Sequence, residues 1–349
     1  MGSWKRNLHI KRCQESVQHL IQNETAFWDI KLLFIGGPLG GPYPIINQGI
    51  VEGLKGLVRE VITVTPDADI INLAVQTQPD LVLVLLGDQT PYQQIQAIRK
   101  MGIKTAVWFT DDPYYTDVTT QFAQYYDFVF TNELSCVSLY KMLGCKQVHY
   151  LPFAANTNIF YPNYVDMAYA RDICFIGTAW NNRISFFNSI AKYLSNMNII
   201  IIGPLWNKLS HYSLLSNKIV PTGIPSTTVA NFFNGANIVI NLHRSHDDKT
   251  LFKKNTRNLN AYSINPRTFE ISACGAFQLT DVRQDLSSCY TPGYEIVTYT
   301  SPNELIEKIH YYLQHEDERY EMALRGFQKT MREHTFQKRV LKMLKTIFG

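Results

Sequence analysis

Short apolar runs alternate with helix-like stretches from about residue 30 to the end of the chain, and no other feature limits its fold so strongly. Runs at 31–35, 61–64, 81–86, 105–109, 128–131 and 147–151 are separated by helical character at 45–59, 69–76, 91–101 and 133–143. The run at 81–86 has no polar alternation, so it is expected to be buried on both faces. Strands of that kind with helices between them predict a parallel sheet covered on both sides. The segment 152–171 carries Pro152, Pro162 and several Asn and Tyr, and reads as a connection between domains. The alternation then resumes, with strands at 172–176, 198–202, 236–242, 276–280 and 295–298 and helices at 183–194 and from 266. Helical stretches at 303–314, 317–333 and 336–347 close the chain. A length of 349 residues suits two domains of about 150 each. Two doubly wound α/β domains follow, 1–155 and 156–335, with the ligand expected between them, facing the carboxyl ends of the strands.

Composition removes several function classes. Apolar residues make up 46% and charged residues 18%, which excludes a disordered chain. Lys plus Arg exceed Asp plus Glu by only four, 33 against 29, too little to point to nucleic acid. No apolar run approaches the roughly 18–20 residues that span a bilayer, and no apolar stretch follows the basic N-terminus as a secretory signal requires. The six cysteines are scattered without a Cys-x-x-Cys pair, as expected of buried free thiols in a cytoplasmic protein.

Several clusters have residue types suited to chemistry. The turn after the first strand, Gly36-Gly37-Pro38-Leu39-Gly40-Gly41, lets main-chain N–H groups approach a ligand, and reads equally as a tight structural loop. Asp111 and Asp112 end a buried strand in WFTDDP (108–113), where they could accept from hydroxyls, act as a base or hold a metal; capping of the next turn is the alternative. Thr131-Asn132-Glu133 has the make-up of an ordinary helix start. Gly177, at the end of the strand 172–176, permits close approach of a phosphate, and Arg183 in the next helix could clamp it. In Asn265-Pro266-Arg267-Thr268-Phe269-Glu270, Pro266 suits the first helical turn. Arg267 and Thr268 then lie ready for a diphosphate, and Glu270 for ribose hydroxyls. His243 follows an apolar strand at the edge of the expected site, where a structural histidine is the plainer alternative. The stretch 244–257 reads as a solvated loop. The last helix sets Val340, Leu341 and Leu344 beside Lys338, Arg339 and Lys342, suiting either its own protein or an anionic membrane.

Taken together, WFTDDP, YLPFAAN (150–156), DICFIGT (172–178) with Asn181-Asn182-Arg183, and above all NPRTFEISACGAFQLTD (265–281) resemble the spore maturation protein CgeB family, which is related to group 1 glycosyltransferases. The resemblance implies a GT-B fold: two Rossmann-like domains, a cleft, and a last helix (336–349) that crosses back onto the N-terminal domain. It implies a nucleotide-diphosphate sugar held by the C-terminal domain and no bound metal or cofactor, with a UDP-sugar favoured. In such enzymes a Glu-x7-Glu element contacts the donor. Its second position maps to Glu270, and its first falls on Tyr262. Gly177 and Arg183 match positions that face the diphosphate; Asp111 or Asp112 matches a polar group facing the transferred sugar. The expected activity is transfer of that sugar to a glycan, protein or small molecule. Transfer with retention of configuration is what the related group implies. The alternatives are a nucleotide-sugar or carbohydrate-binding protein without turnover, motivated by Tyr262, and an epimerase of the same architecture.

Overall fold

The computed structural model describes residues 2–20, 26–251 and 253–349. The chain divides into two compact units. The first comprises Asn23–Asn156, Leu251–Ser263 and Thr335–Gly349; the second comprises Met1–Gln22, Thr157–Thr250 and Ile264–His334.

Each unit is built on a six-stranded, wholly parallel sheet. The first unit holds β1 (Trp28–Ile35), β2 (Val58–Val64), β3 (Leu81–Leu85), β4 (Lys104–Phe109), β5 (Phe128–Thr131) and β6 (Gln147–Tyr150), in the order β2-β1-β3-β4-β5-β6. Alternate residues of these strands feed two cores. Leu32, Phe34, Leu83 and Trp108 face one way; Leu33, Val82, Val84, Val107 and Phe109 face the other. The second unit holds β7 (Arg171–Ile176), β8 (Ile199–Ile202), β9 (Ile219–Val220), β10 (Ala236–Asn241), β11 (Gln278–Asp281) and β12 (Val297–Tyr299), ordered β12-β11-β10-β7-β8-β9. That is the Rossmann order, with β7 and β10 as the central pair. The order reverses between β1 and β3 in one sheet and between β7 and β10 in the other. Loops diverge at such points and leave room at the carboxyl edge.

The helix Phe336–Phe348 belongs to the first unit. Phe336, Val340, Leu341, Leu344 and Ile347 complete the core beside Leu32, Phe34 and Trp108. Each such side chain is worth about 1.5–3 kcal/mol on burial. Its seat is the helix Tyr43–Leu54, where two glycines remove the obstacle. A Cβ at Gly49 would run into the Phe336 ring, and one at Gly53 would stand 2.9 Å from the Gln337 nitrogen.

The division differs from the sequence-based one in two places. The helix Gly2–Leu20, not anticipated from the sequence, belongs to the second unit. Cys13 packs with Leu324 and Phe327, and His9 Nε2 lies 2.7 Å from the Gly275 carbonyl oxygen. Residues Leu251–Ser263, expected in the C-terminal domain, form part of the first. The helix expected at 45–59 ends at Leu54, because Gly56 turns the chain at φ +77° and β2 begins at Val58. All six cysteines are buried and free. Among the described residues, no helix is long and apolar enough to cross a membrane.

Candidate functional site

The carboxyl edge of the second sheet gathers most of the residues singled out in the sequence. Asn265 caps the helix Pro266–Ala273, its Oδ1 accepting from Thr268 N–H at 3.0 Å and from the Thr268 hydroxyl at 3.1 Å. Asn241, the last residue of β10, donates to Thr268 Oγ1 at 2.9 Å and accepts from Asn265 Nδ2 at 2.9 Å. Thr268 is fully buried. Asn265 and Thr268 therefore tie the helix to β10. Arg267 and Glu270 remain on the reachable face, with side chains 29% and 18% exposed and paired at 2.7 Å. The Arg267 guanidinium also lies 5.4 Å from the centre of the Phe233 ring. Burial raises the Glu270 carboxyl above its ordinary range, against the opposing pull of Arg267.

Gly177 and Arg183 meet, but as scaffold. Arg183 is buried, and it donates from Nε to the Leu242 carbonyl at 2.8 Å and from Nη1 to the Thr178 carbonyl at 2.9 Å. A Cβ on Gly177 would stand 2.7 Å from Arg183 Nη1, so the glycine makes room for the arginine. Nor is the N-terminus of the helix Asn181–Ser195 vacant. The Asn181 N–H donates to the buried Asp248 at 2.8 Å, and Asp248 also accepts from Thr250 N–H at 2.9 Å. The stretch expected as a solvated loop is thus anchored at its middle. Arg244 stacks 4.1 Å from the centre of the Trp180 ring.

His243 is buried at the end of β10, its Nδ1 2.5 Å from Asp281 Oδ1 at the end of β11. Burial lowers the His243 pKa, with Asp281 pulling the other way. Burial pushes Asp281 up, but His243 and Arg283 outweigh it and the net shift is downward. Asp281 lies in the quoted motif yet was not assigned a role from sequence; its partner is 38 residues away.

In the first sheet, Asp111 and Asp112 part ways. Asp112 is 2% exposed and accepts from the Thr131 hydroxyl at 2.7 Å and the Tyr140 hydroxyl at 2.9 Å, with Thr119 at 3.4 Å. Burial pushes its pKa up to about 7, a value suited to a base, but its hydroxyl partners enclose it. These hydroxyl bonds make Asp112 an internal anchor. Asp111 is only half-buried; it accepts from the Tyr43 hydroxyl and from Thr110 Oγ1 at 2.9 Å. Asp88 stands near, held by the Tyr115 hydroxyl at 3.2 Å, and burial raises its pKa. Tyr43 and Asp88 were missed in the sequence because neither stands in a motif.

The glycine turn serves packing at Gly36 and Gly37. Added Cβ atoms there would stand 2.8 Å from Asn47 Nδ2 and 2.5 Å from the Tyr43 ring; Gly40 has nothing near it. Glu133 caps the helix Leu134–Met142, as its composition predicts, and it also accepts from the N–H groups of Tyr262 and Ser263 at 3.0 and 3.1 Å. Tyr262 accordingly sits in the first unit, whereas Glu270 sits in the second.

Comparison with known proteins places this geometry in a family. Spore protein CgeB of Bacillus subtilis (strain 168) is 30% identical over 311 residues, which cover 88% of this chain and 95% of that protein. The chain belongs to the CgeB family. Residues 179–345 also match the family described as Glycosyl transferase-like. Two solved structures share the architecture of this CgeB-family chain at low identity. Anabaena Alr3699/HepE, in complex with UDP and glucose, is 10% identical with a TM-score of 0.62, covering 91% of this chain and 99% of that one. Sucrose-phosphate synthase from Thermosynechococcus elongatus is 10% identical with a TM-score of 0.61, over 91% and 98%. The CgeB-family chain thus has the GT-B fold of glycosyltransferases, each unit carrying one parallel sheet.

Proposed function

We propose that this protein is a glycosyltransferase that takes a nucleotide-diphosphate sugar at the carboxyl edge of its second sheet. The observation that carries the proposal is the Arg267–Glu270 pair, reachable at the start of a capped helix while its neighbours are locked inside. Departure of a nucleoside diphosphate builds negative charge, and an arginine beside a helix N-terminus meets it without a resident metal. Glu270 offers two acceptor oxygens to ribose hydroxyls. Asp111, the half-buried carboxylate of the first unit, is the group we assign to the transferred sugar or to the acceptor's proton. A UDP-sugar is the favoured donor, supported by the UDP-bound and UDP-glucose-bound forms of HepE. Retention of configuration is proposed by analogy with group 1 enzymes.

A second reading, binding without turnover, is favoured by Tyr262, which stands where the donor-binding element has its first glutamate. Release of UDP or GDP from a panel of UDP- and GDP-sugars, without acceptor, separates the two. Slow hydrolysis that falls in Asp111→Asn is the expected result. Donor binding with no release, with or without candidate acceptors, would establish the binding protein instead.

A further inference from the structure

Asp281 grips His243 twice. Its Oδ1 accepts from the His243 main-chain N–H at 2.9 Å and meets Nδ1 of the ring at 2.5 Å. Its other oxygen lies 3.6 Å from Nε of Arg283. An ionised carboxylate has no hydrogen to give, so Nδ1 carries the hydrogen of this bond. In the neutral ring the lone pair then falls on Nε2. Nε2 is closed off from solvent, and no group among the described residues donates to it; the residue is 2% exposed. The Tyr299 hydroxyl on β12 cannot serve, because it donates to the Asn241 carbonyl at 2.9 Å. A buried acceptor without a donor is rare in a folded protein and needs an explanation.

We propose that Asp281 is a positioning residue that fixes His243 as the Nδ1–H tautomer, so that Nε2 accepts a hydrogen bond from a hydroxyl of the donor's sugar. This rests on the donor reading above and names the part of the ligand that His243 meets. A phosphate oxygen cannot take the place, because it too only accepts. Charge recognition then belongs to Arg267, and hydroxyl recognition to the imidazole. A trapped water is the other source of such a hydrogen, and it would not distinguish a sugar-bearing ligand from one without a sugar.

Long-range nitrogen–proton correlation spectra of histidine-labelled protein test the tautomer without any variant. The expected wild-type spectrum has the hydrogen on Nδ1 and a bare Nε2. In Asp281→Asn, whose amide can donate to Nδ1, the hydrogen moves to Nε2. The Nε2 signal shifts when UDP-glucose is added and stays still with UDP. His243→Ala and Asp281→Asn each weaken UDP-glucose about tenfold while UDP changes by less than about twofold. A hydrogen on Nε2 in the wild-type protein overturns the assignment of Asp281. Equal losses for the two compounds, or none for either, overturn the sugar contact. If neither compound binds the wild-type protein, the donor reading falls and the sugar contact with it; the spectrum still decides the role of Asp281.

Discussion

Asp112 and Asp111 show how much one peptide unit can change a side chain's task. They are adjacent at the end of β4, yet one is enclosed by hydroxyls from β5 and the helix Leu134–Met142 while its neighbour stays half-exposed. A carboxyl raised to about 7 in the folded protein, from about 3.9 when unfolded, binds its proton more tightly in the native state. Its contribution is therefore complete below about pH 4 and is lost as pH rises through about 7. Asp112→Asn should remove that slope, which is worth up to about 4 kcal/mol. Thermal melts of both proteins at about pH 5 and about pH 8 check this: the wild-type protein should lose more stability on going up, and parallel losses would contradict it. The sequence showed both carboxylates at a strand end. It could not show that Thr131 and Tyr140, 19 and 28 residues on, would converge on only one of them. The packing of Arg183 and Thr268 was hidden for the same reason: each is a polar residue near a strand end that bonds to the backbone or to a neighbouring side chain.

Among the elements, strands and the closing helices were readable because their periodicity is strong. β3 is apolar throughout, β4 is apolar from Ala106 to Phe109, and the helix Phe336–Phe348 has a continuous apolar face. The seat of that helix was not readable, since it depends on Gly49 and Gly53 leaving space for Phe336 and Gln337. Nor was the helix Gly2–Leu20, whose buried residues His9, Ile10 and Cys13 are too few to stand out among charged neighbours. The segment Leu251–Ser263 has no periodicity, and its place is set by hydrogen bonds to distant side chains. Asp117 accepts from Thr256 N–H at 3.0 Å, and Glu133 accepts from Tyr262 and Ser263. Glu133→Ala should free the last two amides, raising their hydrogen exchange about tenfold or more, with Glu133→Gln intermediate because it keeps one acceptor oxygen. Unchanged exchange across 254–263 in the alanine variant would show that other bonds alone hold the segment.

The whole molecule is two wholly parallel sheets with flanking helices, and that much follows from alternating apolar runs and helices. The division between units was less accessible, because the chain leaves the second unit after Thr250, supplies Leu251–Ser263 to the first, and re-enters at Ile264. That excursion puts Tyr262 in the first unit and Glu270 in the second, where Glu270 pairs with Arg267. Calorimetric titration of UDP into the wild-type protein, Arg267→Ala and Glu270→Ala measures whether this pair grips a nucleoside diphosphate. Binding by the wild-type protein with a loss of about tenfold or more in each variant is predicted. Equal affinity in all three proteins, or a wild-type protein that takes up no nucleoside diphosphate, would contradict it.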